Sequence, residues 1–399
     1  MWRGAALLPA LLALLAGCAK DEENAGNDEP VIVSLTASDV HPDRGEMVTF
    51  TCTATDGDGD PLHYTWSVDG QWIGEDAPSL QWQAPDANTT VTVGVEVSDG
   101  MASVSRSLPI VVGVDEFGLL AGLCDADFAA WSAGWLRGAA EVYPDLPGYL
   151  VVDLRSPGAF GLGHIEGAGN TSLAGLDSYV AAHNTTNREV LLVDETGQAA
   201  AFAAMGLRML GWDAFALAWG MAGWNDAFAA PWDTGISNDW ATAMVNTASP
   251  ALPDNGWPVL ATGLTSAEAI LQARVAQVFS EGYNSNSVTA AAMMGDPGSY
   301  HIFNYWPQTA YEDLGHVAGS LQLTPGRLTT ATDLSALHPT QDNLLYCWTG
   351  QTTALAAFYL NALGYHALSL RFGANALMHD DLGAQAWAHQ GHNYPFVTN

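Results

Sequence analysis

Positive charge is scarce in this chain: its 399 residues hold 11 Lys+Arg against 43 Asp+Glu, a formal charge of −32. A surface of that sign repels phosphate backbones, which argues against nucleic acid as a partner, and it describes a solvated, soluble exterior. Cysteine is also scarce, with four residues at Cys18, Cys52, Cys124 and Cys347. Long hydrophobic runs are missing too, and the apolar segment Ala5 to Leu15 is too short to span a bilayer. A nucleotide-binding glycine fingerprint is absent, because Gly161-Leu162-Gly163 lacks the rest of the motif and precedes a turn. Metal sets are incomplete. Of His379, His389 and His392 only the last two can share a helical face, and no Cys or clear carboxylate joins them, so they read as surface histidines. Asp56, Asp58 and Asp60 alternate as calcium ligands do, yet Pro61 stands where an EF-hand needs glycine and Ser67 where it needs glutamate; a turn without metal is expected. The sequence therefore calls for no metal and no cofactor.

What is present begins with an export signal: Arg3, the short apolar run, then Leu15-Ala16-Gly17-Cys18. Those four residues resemble the lipobox of bacterial lipoproteins, which implies a signal peptide over 1–17 and a lipid on Cys18. Ala19 and Lys20 after the cysteine imply the outer membrane, and thus a lipid-anchored place in the cell envelope, periplasmic or surface-exposed. Residues 18–29 are polar and acidic and read as a tether. With Cys18 acylated, an oxidising compartment permits a Cys52 to Cys124 disulfide and leaves Cys347 free, although Cys52 also suits a small buried hydrophobe.

The length allows two or three domains. Over 30–113 the pattern is all-β: Met47 to Ala54, His63 to Val68 and Thr90 to Val97 alternate with a period of two between turns such as Asp56-Gly57-Asp58-Gly59-Asp60-Pro61 and Ser98-Asp99-Gly100. A β-sandwich follows. Asp-Gly-Asp-Gly-Asp-Pro-Leu with Tyr64 and Trp66 resembles PKD and related immunoglobulin-like modules, which implies a role in spacing or adhesion.

Beyond Gly113 strand and helix signals alternate, the mark of α/β architecture with parallel strands. Sliding the chain on itself by 153 residues lays Leu192 to Ala200 on Leu345 to Thr353, and Leu207, Leu210, Gly211, Leu217 and Gly220 on Leu360, Leu363, Gly364, Leu370 and Gly373. Gly163-His164-Ile165 pairs likewise with Gly315-His316-Val317 at a shift of 152. Two copies of one domain are expected, over 114–249 and 250–399. Trp131, Trp135, Trp212, Trp219 and Trp224 read as core and interface aromatics.

Leu344-Leu345-Tyr346-Cys347-Trp348-Thr349-Gly350-Gln351-Thr352-Thr353 carries the chemistry. An apolar strand delivers one cysteine to a turn that a helix follows, so loop N–H groups and the helix N-terminus favour a thiolate there. The Val151 to Ser156 segment with Phe160, the Gly163 to Asn170 turn and the Gly220 to Trp224 segment resemble the rhodanese family of sulfurtransferases, as does Cys347-x-x-Gly350-x-Thr352. The resemblance implies two rhodanese-like domains with central parallel sheets and a persulfide on Cys347, held by Trp348, Thr349, Gly350, Gln351, Thr352 and Thr353. It implies a small sulfur donor, thiosulfate or 3-mercaptopyruvate, and a thiol or cyanide acceptor, with Arg371 the nearest arginine for a carboxylate; Arg155 and Arg327 are alternatives. An envelope protein is a further possible partner. Two departures matter. Asp194 replaces the cysteine in the first copy, which silences it, and Asn304 and Trp306 replace Asp153 and Arg155 in the second. A related phosphatase would need an arginine at the loop's end, where Thr352-Thr353 has none. The rival to catalysis is a lipid-anchored binding or scaffold protein built on degenerate folds. His164 and His316 read as turn-holding residues.

Overall fold

A computed structural model describes residues 27–399; the segments expected as signal peptide and lipid-bearing Cys18, and most of the expected tether, lie outside the described residues. The described chain falls into two compact units, the first from residues up to 39, 47–82 and 92–108, the second from 40–46, 83–91 and 109–399. Among the described residues no helix is long and apolar enough to cross a membrane.

The first unit carries the sandwich. Seven strands from Val31 to Val112 make one sheet of three strands and one of four, and the observed pairings are antiparallel. The period-two alternation has its expected cause: Val48, Phe50 and Cys52 of one strand and Val91, Val93, Val95 and Val97 of another are buried, while most of their neighbours face out. Trp66 is buried at the centre, its indole Nε1 donating to the Ala77 carbonyl at 2.8 Å. The Asp56 turn is held by one carboxylate oxygen, which accepts the N–H groups of Asp58, Gly59 and Asp60 at 2.9, 2.9 and 3.1 Å. The three aspartates of that turn offer oxygens within 4.8 Å of one another.

The second unit holds two five-stranded sheets, one in each half of the sequence repeat, and the halves are called the first and second copy. Five parallel strands form the first sheet in the order Gly169–Asn170, Tyr149–Asp153, Glu189–Val193, Ala214–Leu217, Leu136–Arg137. Five more repeat it: Leu321–Gln322, His301–Asn304, Asp342–Tyr346, His366–Leu370, Ser287–Val288. Parallel central strands are covered on both faces, which is why Val190 to Val193 and Leu344 to Tyr346 are unbroken apolar runs.

The copies share one core, which joins residues from Phe117 to Ala216 with residues from Leu260 to Ala367. Its centre is the seam between helices Gln198–Met209 and Gln351–Ala362, both buried on nearly every side. Alanines at 199–201, 203 and 204 let the two backbones approach. A side chain on Gly206 would strike the Phe358 and Phe279 rings, and Phe202 meets Phe358 edge to face at 4.8 Å. Exchange between the copies continues at their ends. Met244–Val245, at the end of the first copy, pairs with His316–Val317 of the second. The C-terminal segment returns to the first copy, where His164 and Val397 exchange backbone hydrogen bonds of 2.9 Å and Trp224 Nε1 donates to the Pro395 carbonyl.

The Cys52 to Cys124 disulfide is not formed. Cys52, Cys124 and Cys347 are free buried thiols, because Cys52 points into the sandwich and Cys124 lies in the helix Glu116–Trp131, inside the shared core. Burial, with Asp125 and Asp127 nearby, pushes the Cys124 thiol up to about 12.

Candidate functional site

Each copy places its loop at the C-terminal end of its central strand. Strand Glu189–Val193 leads to Asp194, and strand Asp342–Tyr346 leads to Cys347. Gly197 (φ 83°, ψ −4°) and Gly350 (φ 75°, ψ −12°) are left-handed and turn the chain into helices that start at Gln198 and Gln351. Gln351, Thr352 and Thr353 therefore lie in the first helical turn instead of a loop. Gly220 and Gly373 lie against these turns; a Cβ on the first would meet Thr196 N and Gly197 N, and one on the second would meet Cys347 O and Gly350 N.

In the first copy the turn is filled by its own carboxylate. Asp194 accepts the N–H groups of Gly197 at 2.6 Å and Ala199 at 3.2 Å, and the Thr196 hydroxyl at 3.3 Å. Burial raises the Asp194 carboxyl from 3.8 to about 6, and the neighbouring Glu195 charge adds to this; the backbone N–H groups of Thr196, Gly197 and Ala199 oppose it. Desolvation thus outweighs the helix N-terminus here. An Asp three residues before a Gly-Gln helix start is the pattern of a side chain that caps amides, and that signal was present in the sequence.

In the second copy Cys347 is 3 % exposed. Its sulfur lies 3.6 Å from Thr353 Oγ1, which lies 2.9 Å from Ser369 Oγ; the Ser369 hydroxyl donates to the Gly350 carbonyl at 3.2 Å. A hydroxyl chain runs from the thiol through Thr353 and Ser369. Trp348 lies 5.5 Å from Trp306, and both indole N–H groups are buried without a partner among the described residues. The Thr349 hydroxyl accepts the Gln351 N–H at 3.4 Å.

Gln351 faces away from the sulfur. Its Oε1 accepts the Trp219 N–H of the first copy at 3.1 Å, and in return Gln198 Oε1 accepts the Phe372 N–H of the second copy at 2.8 Å and the Tyr283 hydroxyl at 3.1 Å. The two glutamines thus exchange across the pseudo-symmetric seam. Above them Trp219, Trp232, Phe372 and Trp387 form one aromatic cluster with ring centres 5.0 to 5.3 Å apart.

A cavity of about 460 Å³ is walled by both copies. It opens beside Asp194, with Arg155 and Thr196 from the first copy and Tyr283, Arg371 and Phe372 from the second; Cys347 is not in its wall. The sequence analysis centres the chemistry on Cys347, and this cavity lies at the other loop. Arg371 is fixed there, its Nε donating to Ser287 Oγ at 2.9 Å and its Nη2 to Asn284 Oδ1 at 3.1 Å. The two alternative arginines are held in ion pairs, Arg155 in the same wall and Arg327 outside it. Arg155 is buried in a two-pronged ion pair with Asp153, with bonds of 3.0 and 2.7 Å, and also donates to the Gly163 carbonyl; Arg327 pairs with Asp333 at 3.1 Å.

The turn histidines hold backbone. His164 Nδ1 lies 2.9 Å from the Phe160 carbonyl and His316 Nδ1 2.9 Å from the Tyr311 carbonyl, each ring stacked on the aromatic residue that supplies the acceptor. His379 and His392 pin the C-terminal region through the carbonyls of Trp387 and Gly223.

Comparison with known proteins assigns the first copy. Residues 133–227 match the Rhodanese-like domain family and form a rhodanese-like domain. No curated protein matches the chain. Among solved structures, fibronectin(III)-like modules of Clostridium thermocellum CbhA are 28% identical over 22% of this chain and 47% of that one, with a TM-score of 0.19. The chain thus spans about half of that structure's length. A rhodanese-related protein from Thermoplasma volcanium is 23% identical over 21% of this chain and 82% of that one, with a TM-score of 0.20. The PKD domain of an M14-like peptidase from a Thermoplasmatales archaeon is 20% identical over 22% of this chain and 100% of that one, with a TM-score of 0.19.

Proposed function

We propose that the tandem is a ligand-binding module that keeps the rhodanese-like architecture without sulfur turnover. The observation that carries this is the position of the cavity: it lies beside Asp194, which cannot hold a transferable sulfur, and Arg371 of the second copy forms part of its wall. A cavity with a few convergent polar groups is where a small ligand binds. Its wall combines Arg371 with Glu195 and Glu281, so the fitting ligand is small and has both an anionic and a cationic end, as an amino acid has. Calorimetric titration of the full chain with an amino-acid panel tests this. Binding is expected, lost in Arg371→Met and kept in Cys347→Ser; the absence of heat with every member refutes the reading.

Sulfur transfer is the second reading, favoured by the hydroxyl chain at the Cys347 sulfur. In it the Cys347 thiolate attacks the outer sulfur of thiosulfate, a new S–S bond forms, and sulfite leaves with the electrons of the broken one. Cyanide then takes the outer sulfur as thiocyanate and restores the thiolate. Thiocyanate release with thiosulfate or mercaptopyruvate as donor, abolished in Cys347→Ser, would establish this reading over the first. A lipid on Cys18 is proposed to hold the chain at the cell envelope, and a Cys18→Ser variant that still partitions with membranes would refute that.

A further inference from the structure

The sandwich presents a second trough on its four-stranded sheet. Trp66 is turned into the core, so the pleat turns Thr65 and Ser67 outward. The register carries that face across the sheet: Trp72 pairs with Ser67, Ser67 with Gly94, and Thr65 with Glu96. Trp72 is 68% exposed, against 41, 38 and 36% for the exposed Tyr143, Trp257 and Phe396. Gly94 leaves the middle of the row without a side chain, and Ser105 and Ser107 of the edge strand line the far side. The trough has a volume of about 360 Å³.

Its chemistry is specific. One exposed indole lies beside the hydroxyls of Thr65, Ser67, Ser105 and Ser107, the Glu96 carboxylate and Arg106, so the occupant must present apolar C–H groups and hydrogen-bonding groups together. A protein segment seeking an apolar patch finds only the single ring. Arg106 and Glu96 of the lining carry opposite charges, which leaves the trough without net formal charge, and the formal charge of −32 on the whole chain repels polyanions. A pyranose ring fits each condition: its axial C–H groups carry partial positive charge toward the negative face of an indole, and its equatorial hydroxyls reach the Ser, Thr and Glu side chains.

We propose that this face binds a neutral polysaccharide, with Trp72 as the stacking platform and the Gly94 gap as the seat of the adjoining sugar. The test is co-sedimentation of the full chain with cellulose, chitin, xylan and mannan, followed by fluorescence titration with the matching oligosaccharides. Retention on at least one is expected, with affinity reduced about tenfold or more in Trp72→Ala and also weakened in Gly94→Val, where the new side chain fills the trough. Trp257→Ala, an exposed indole elsewhere, should bind as the parent does. Because Trp72 is exposed, its removal leaves the fold intact, which far-UV circular dichroism checks. Failure to bind any of the four polysaccharides, or unchanged retention in Trp72→Ala, would each overturn the proposal.

Discussion

The loops at Asp194 and Cys347 share a strand, a left-handed glycine and a helix start, and both key side chains are 3 % exposed, yet the cavity walled by both copies opens beside the first. In the first, a carboxylate takes the amide donors of its own turn and the space beside it stays open. In the second, a thiol meets the Thr353 hydroxyl, with Trp306 and Trp348 packed against each other. The upstream replacements run in parallel. Arg155 is drawn into a buried ion pair in the first copy, while Trp306 at the matching place extends the apolar core of the second. The same backbone thus supports two environments, a carboxylate bonded to amides and a thiol beside a hydroxyl, and the side chains alone set the difference.

The comparison can be broken most severely at the seam that makes the loops neighbours. Phe358→Ala should cost about 3–5 kcal/mol, since it empties the contact with Phe202, Phe279 and Gly206. Chemical denaturation should show both copies unfolding in one weakened transition, and two separate transitions in the parent would contradict the shared core.

Next in size is the ion pair present in one copy only. Arg155→Met leaves Asp153 buried and unpaired and should cost about 3 kcal/mol, whereas Trp306→Phe in the second copy should cost about 1 kcal/mol. Equal losses in urea midpoints would remove the asymmetry.

Asp194 gives the pH dependence. Its folded value of about 6 lies above the ordinary 3.8, so its contribution to stability is full below 3.8 and is lost as pH rises through 6. The unfolding free energy of the parent minus that of Asp194→Asn should therefore fall by up to about 3 kcal/mol between about pH 4 and pH 7. A flat difference would place the carboxylate in a wetter site than the structure gives it.

The smallest effect sharpens the symmetry. Gln198→Ala and Gln351→Ala should each cost about 1 kcal/mol through the lost inter-copy bonds. Gln198→Ala should cost more, because Gln198 also holds Tyr283; thermal unfolding of the two variants reads the difference.

Much of this was legible in the chain. The 153-residue shift carries Glu189–Val193 onto Asp342–Tyr346 and Gln198–Met209 onto Gln351–Ala362, the observed bounds of both strands and both helices. Period-two alternation gave the sandwich for the same reason: pleat and helical turn are local, and burial of one face writes itself into sequence spacing.

Partners distant in sequence were not legible. The sequence put Gln351 in the loop around the sulfur, and the fold sends it across the seam to Trp219, 132 positions away. Nothing in the spacing of Trp224 announces Pro395 as its acceptor. The residues by themselves determined two like turns, one with a carboxylate and one with a thiol. Only the packing of the copies decided that a cavity lies beside the carboxylate, because a cavity is what remains after distant side chains have filled everything else.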